Sequence, residues 1–189
     1  MPGKVTFPGM ALTSTLYHFD VTLGDVDRGV YGTFAIKAAC HPSETPEYLL
    51  TRVLAYCLEY TEGIAFSKGG VSDPDDPALL VKDLTGAWVS WIEIGAPDAA
   101  RLHKASKASP RVAVYTHKDP RIVLRASEGQ RIHKAESIVV FALDRDLLAA
   151  LAERLDRRMT WTLTVTEGEL FVAIGDETLS GRVERHAVA

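Results

Sequence analysis

The stretch WVSWIEIG, Trp88 to Gly95, places an acid near the end of a strand-like run. Five of its eight residues are aliphatic or aromatic, the pattern of a strand covered on both faces, so Glu93 is expected to be buried. An unpaired buried carboxylate costs several kcal/mol, and a cation must meet it. Two answers are open: an ion pair with Arg52 or Arg101, or a metal ion shared with a second acid. LLVKD and AWVSWIEIG flank Asp83-Leu84-Thr85-Gly86, whose Asp and Gly favour a tight turn and make the two runs a hairpin. Pairing Asp83 with Ala87 sets position 93 opposite position 77, roughly 20 Å from the turn. Asp83 is then a turn-forming residue, too far away to share an ion. Asp75 falls on the same face as Glu93, diagonally adjacent, with Asp76 in reserve. Two such carboxylates repel unless a cation separates them, and oxygen-only ligation suits Mg²⁺ or Mn²⁺.

The elements that must position these residues are legible along the chain. LYHFDVTL and VYGTFAIKAA read as strands around GDVDRG, an N-terminal hairpin. Thr45 and Pro46 open a helix with the apolar stripe Leu50, Val53, Leu54, Cys57 and Leu58. Glu47 lies near the edge of that stripe, either as a third ligand or, with Glu44, as a complement to the helix dipole. IAFS is a short strand, PDAARLHKASKAS a second helix stopped by Pro110, and RVAVYT the strand after it. A helix near 119 to 129, the strand SIVVFAL, a helix capped by Asp144 and the hairpin TWTLTVTEGELFVAI complete the chain. On the second helix Arg101, Lys104 and Lys107 share one face, opposite Leu102 and Ala105. Arg121 and Arg125, four apart on the later helix, either contact a nucleic-acid backbone or are simply solvated.

With 189 residues, 47% of them hydrophobic and 24% charged, the composition is that of one globular domain, residues 1–189. A net charge of -4 gives no global attraction to phosphate or anionic lipid, so nucleic acid would have to be met by a local basic patch. Cys40 and Cys57 stand in no metal-binding or redox spacing and read as two buried thiols in a reducing compartment. The six histidines match no ligand spacing. The N-terminus MPGKVTFPGM has no signal-peptide run and no long apolar stretch follows, so the expectation is a cytoplasmic monomer away from membranes, with nucleic acid or a protein as partner.

HPSETPE at the first helix, Asp75-Asp76-Pro77, the DLTG turn, WIEIG and the helix carrying Arg101 and Lys104 together resemble the YaeQ family over about residues 12 to 175. The resemblance implies an α/β (α+β) fold with a restriction-endonuclease-like core. That core is helix, three strands, helix, strand (αβββαβ), a mixed sheet flanked by helices, over about 45–116. An N-terminal hairpin (about 12–40) and C-terminal strands (about 137–175) are added as β-ribbons. It further implies the PD-(D/E)xK nuclease pattern: Pro74-Asp75 as the first acid and Glu93 as the second, to which the place of Glu47 on the first helix adds a candidate third ligand. Glu44, Arg52 and Arg101 stand in support. The pattern's lysine should stand two residues after Glu93, where this chain has Gly95. Lys104, about 10 Å along the second helix, is the candidate replacement, because helical side chains lean back toward the N-terminus. Arg101 stays protonated and suits a phosphate clamp. The implied function is Mg²⁺-dependent phosphodiester hydrolysis. The rival is a non-catalytic binding protein on the same fold, its acids held by Arg52 or Arg101.

Overall fold

Inward and outward residues alternate along TLYHFDVTLGD and VYGTFAIKAAC, and these form β1 (Thr15–Asp25) and β2 (Val30–Cys40), an antiparallel hairpin. The computed structural model describes residues 13–68, 73 and 75–189; expectations resting on residues 1–12 and on Pro74 lie outside them. Helix α1 (Pro46–Leu58) starts where its cap residues require: Thr45 accepts from the Tyr48 amide and Pro46 takes the first helical position. The chain continues through β3 (Ile64–Phe66), β4 (Leu79–Lys82), β5 (Trp88–Ile94), α2 (Ala99–Ala108) and β6 (Arg111–Thr116). Asp98 caps α2, its carboxylate accepting from the Arg101 amide. This is the expected order of helix, three strands, helix, strand, with β4 and β5 antiparallel and β5 and β6 parallel. Beyond it lie α3 (Arg121–Ser127), β7 (Val139–Leu143), α4 (Arg145–Glu153), β8 (Arg158–Thr166), β9 (Glu169–Ile174) and β10 (Glu177–Ala187).

Among the described residues the ten strands make one sheet in the order β2-β1-β8-β9-β10-β7-β6-β5-β4-β3. The expected terminal ribbons are therefore not appendages. β1 pairs parallel to β8, and β10, which periodicity did not reveal, connects the two halves. Its residues Glu177–Arg182 pair with β9, and Val183–Ala187 then pair with β7. The strand ETLSGRVERHA is polar and mostly exposed, so it carries little hydrophobic signal; its ladder of backbone hydrogen bonds makes it a strand.

Helix α1 touches β2 near one end of the sheet and β5 and β6 toward the other, so the sheet must curl around it. Leu49, Leu50, Val53, Leu54 and Cys57 are all fully buried there, packed with Phe19, Val21, Trp161, Leu163 and Val172 of β1, β8 and β9. Burial pushes the Cys57 thiol far above its usual range, while Cys40, expected to be buried, is half-buried. A second apolar cluster of Trp91, Leu102, Ala105, Val112 and Val114 packs α2 on the other face of β5 and β6. Two faces covered by two helices explain why β5 is buried from Ser90 onward.

Where β10 passes from one half of the sheet to the other, α4 lies almost against its backbone. A Cβ built on Gly181 would stand 2.7 Å from Asp144 Cβ and 2.8 Å from Leu147 Cβ, and the Asp144 amide donates to the Arg182 carbonyl at 3.1 Å. Neither Cβ is a flexible end, so Gly181→Ala is expected to destabilise the protein by about 1–3 kcal/mol. A shift of the urea midpoint at unchanged slope is the check.

Candidate active site

Glu93 is 6% exposed and lies on the α2 face of β5, in line with Trp91 two residues earlier. Its Oε1 accepts two hydrogen bonds of 2.6 Å, from Trp91 Nε1 and from Arg101 Nε. In this structure the cation that meets Glu93 is Arg101, on the first turn of α2. The same guanidinium donates through Nη2 to the Asp76 carbonyl at 2.6 Å and through Nη1 to the Asp73 carbonyl at 3.3 Å, and it lies 5.7 Å from the Trp91 ring centre. One side chain from α2 therefore ties the end of β5 to the segment leading into β4.

Lys104, one turn further along α2, reaches Asp75, its Nζ 2.6 Å from Oδ1. Both groups lie at the rim, the lysine 46% and the aspartate 83% exposed. The hydrogen bond and charge of Lys104 hold the Asp75 carboxyl below the usual carboxylate range. Asp75 arrives by a route other than the expected one. A bulge between Val81 and Lys82 shifts the hairpin by one residue, so that Leu79 faces Ile92 and Val81 faces Ser90. Continued past the ladder, this would set position 78, not 77, opposite Glu93. β4 begins only at Leu79, so Asp75 and Asp76 stand ahead of the ladder, and Arg101 and Lys104 position them instead of cross-strand pairing. Asp83 shapes the turn as expected, its Oδ1 accepting from the Thr85 and Ala87 amides at 2.8 and 3.0 Å.

Glu44 pairs with Arg52, Nη2 to Oε2 at 3.0 Å, and the same Nη2 donates to the Ala39 carbonyl at 2.6 Å, so these two fasten α1 to the end of β2. Glu47 sits half-buried on the first turn of α1, near enough to His117 for its charge to oppose the fall in the imidazole pKa that burial and Lys118 bring about. Among the described residues no three His, Cys, Asp or Glu side chains converge closely enough to hold a metal. Each acid of the expected cluster other than Glu47 is instead answered by an arginine or a lysine. Arg121, considered for backbone contact, is paired with Asp119 at 2.5 Å.

Gly95 has φ +93°, which L side chains rarely adopt, and its amide donates to the Tyr115 carbonyl at 2.9 Å. A lysine there would be strained, so the position two residues after Glu93 is closed to it by backbone conformation. Beside Gly95 lies a cavity of about 350 Å³ lined by Glu44, Tyr48, His117 and Lys118. Burial raises the Tyr48 hydroxyl pKa, and the charges of Glu44 and Glu93 add to the rise against Arg52 and Arg101. His117 meets Tyr48 edge to face at 5.8 Å, and its buried Nδ1 has no hydrogen-bond partner. No motif or spacing marks either residue. The donor role of Trp91, by contrast, could have been found from its same-face position two residues before Glu93.

The whole constellation can be compared with known proteins. A model of the YaeQ protein family matches residues 10–183. The chain belongs to the YaeQ family. It is 31% identical over 165 residues to the uncharacterized protein YaeQ of Escherichia coli (strain K12), spanning 87% of this chain and 91% of that one. The YaeQ of Salmonella typhi is 32% identical over the same length. The crystal structure of YaeQ protein from Pseudomonas syringae superimposes with a TM-score of 0.80 at 34% identity, over 91% of this chain and 95% of that one. YaeQ protein from Xanthomonas axonopodis pv. citri gives 0.78 at 26% identity, over 93% and 99%. The YaeQ resemblance drawn from HPSETPE and WIEIG therefore holds over nearly the whole chain.

Removing Arg101 would leave a buried carboxylate without its cation. Arg101→Met is expected to cost about 3 kcal/mol, and Arg101→Met with Glu93→Gln to recover part of it, read from denaturant titrations. At the rim, Lys104→Ala should return the depressed Asp75 pKa to the ordinary range in a carboxyl NMR titration. Because that pKa is lowered in the folded state, the pair supports the fold above the unfolded-state value and ceases to as pH falls through the lowered one.

Proposed function

We propose that this protein is a metal-dependent phosphodiesterase acting on nucleic acid, with a PD-(D/E)xK-type site at the end of β5 whose lysine has moved to α2. The carrying observation is Lys104 on Asp75 at 2.6 Å beside Arg101 on Glu93 at 2.6 Å. Two acids meet two cations from the helix after the third strand, in the element order of a restriction-endonuclease-like core. The positive φ of Gly95 supports the move, since the usual lysine position is conformationally closed.

The donors suit a hard cation. Glu93 Oε1 and the carbonyls of Asp73 and Asp76 all turn toward the Arg101 guanidinium, and every one of them is oxygen. Glu93 and Asp75 would hold Mg²⁺ or Mn²⁺, with Glu47 of α1 as the third ligand; the bound ion would supply Lewis-acid polarisation of the phosphate and a more acidic water. Arg101 leaves Glu93 for the phosphodiester, where its planar fork clamps two oxygens. Lys104, released from Asp75, orients the attacking water or offsets charge in the transition state. Trp91 Nε1–H keeps Glu93 oriented once Arg101 has moved.

A second reading is favoured by the completeness of the Glu93–Arg101 pair: a non-catalytic protein whose acids are held by their cations and which binds nucleic acid or a protein through its added β-strands. Either reading is of a cytoplasmic monomer. Among the described residues no helix is long and apolar enough to cross a membrane, and Cys40 and Cys57 are free.

Calorimetry with Mn²⁺, and cleavage assays on single- and double-stranded DNA and RNA, separate the two. The enzyme reading expects metal binding that Glu93→Gln abolishes, and a loss of about 10²-fold or more in rate in Lys104→Ala with stability changed by less than about 0.5 kcal/mol. Equal rates in Lys104→Ala would overturn the moved lysine. Salt-dependent nucleic-acid binding without metal uptake or cleavage would replace the enzyme with the binding protein.

A further inference from the structure

On the opposite face of the sheet from Glu93, a second cavity of about 380 Å³ opens between the end of α1, the β1–β2 turn and the β8–β9 turn. Three of its lining residues lie in one row across adjacent strands. Tyr115 on β6 is in register with Phe141 on β7, and Phe141 is in register with Arg185 on β10. Their side chains therefore share a face, spaced by the strand separation of about 4.8 Å. The two rings stack with centres 4.8 Å apart and planes 19° apart. Tyr115 is buried, so Phe141 presents the accessible part of the pair.

The charges around the row are matched in all but one place. Glu59 accepts from Arg111 through both oxygens, at 2.6 and 3.2 Å, and from the Tyr115 hydroxyl at 2.7 Å. Asp25 holds Arg28 at 2.6 Å, and Asp27 takes the amides of Glu167 and Gly168 at 2.7 and 2.9 Å. Among the described charged residues of this lining, Arg185 alone has neither an ion pair nor a hydrogen bond to meet its charge. The cavity thus sets an exposed guanidinium beside a supported aromatic ring, with Leu58, Val165 and Val183 as apolar walls.

We propose that this cavity binds a small planar aromatic anion, its ring stacked on Phe141 and its anionic group on Arg185. A nucleoside monophosphate and an aromatic carboxylate both have that chemistry. Of the three acids, Asp25 and Glu59 are each offset by an arginine, and Asp27 is turned into the Glu167 and Gly168 amides, so Arg185 is the charge left for such a ligand. The site is independent of the metal reading, lying on the other face of β5 and β6.

Isothermal titration calorimetry on the full chain, with AMP, UMP, 2-naphthoate and inorganic phosphate as probes, tests the proposal. At least one aromatic probe should bind at submillimolar concentration, with phosphate alone weaker by about tenfold or more, the contribution of one stacked ring. The preferred aromatic probe identifies the source, nucleotide or carboxylate. Arg185→Glu, at an exposed position that should leave the melting temperature unchanged, should weaken that binding about tenfold or more. Phe141→Leu keeps the bulk without the ring and should do the same if Phe141→Ala fails to fold. Binding of no aromatic probe to the wild type, or equal binding to Arg185→Glu, would overturn it.

Discussion

The buried pair of Glu93 and Arg101 is the interaction around which the candidate site is assembled. A carboxylate on a strand covered on both faces cannot remain ionised without a partner, and Arg101 supplies one from α2, the helix that follows β5 and packs on that face. Having met Glu93, the guanidinium has two nitrogens left, and these take the carbonyls of Asp73 and Asp76. Asp75 and Asp76 stand ahead of the β4–β5 ladder, and this clasp holds Asp76 beside α2. Asp75 is consequently delivered to Lys104 at the rim. Fold, loop and site are coupled through a single charge requirement.

The same logic recurs at the far end of α1. Arg28 donates to the Cys57 and Tyr60 carbonyls as the helix ends, at 3.1 and 3.2 Å, while its Nε holds Asp25. The Cys57 carbonyl also accepts from the Tyr60 amide at 3.2 Å, and Arg28 reinforces this end of the helix from the β1–β2 turn. Glu59, the residue after the helix, is clamped by Arg111 from the start of β6. At the N-terminal end Arg52 does the equivalent for Glu44 and Ala39. Arg52 stands midway along α1, buried, and reaches back to these partners near the helix start. The curled sheet encloses the middle.

Much of this was legible beforehand. Thr45-Pro46, Asp98 and Asp144 marked helix starts through capping chemistry, and DLTG marked the hairpin tip. WVSWIEIG announced both the buried strand and the carboxylate that needed a cation. What failed was inference carried across a distance. The register counted from Asp83 was correct at the turn and wrong by one at Leu79, because the bulge at Val81 leaves no mark in residue types. β10 was missed because its polar sequence has no periodic apolar face to betray it.

By itself the sequence determined the local elements, the order around residues 45–116, and the fact that Glu93 is buried and must be neutralised, since helix caps, turns and hydrophobic period act over a few residues. Only the tertiary structure decided that Arg101 rather than Arg52 meets that charge, that β10 joins the two halves of the sheet, and that Tyr115, Phe141 and Arg185 stand in one row. Each of these depends on which distant strands pair and in what register, and that choice is settled by the packing of the whole sheet around α1.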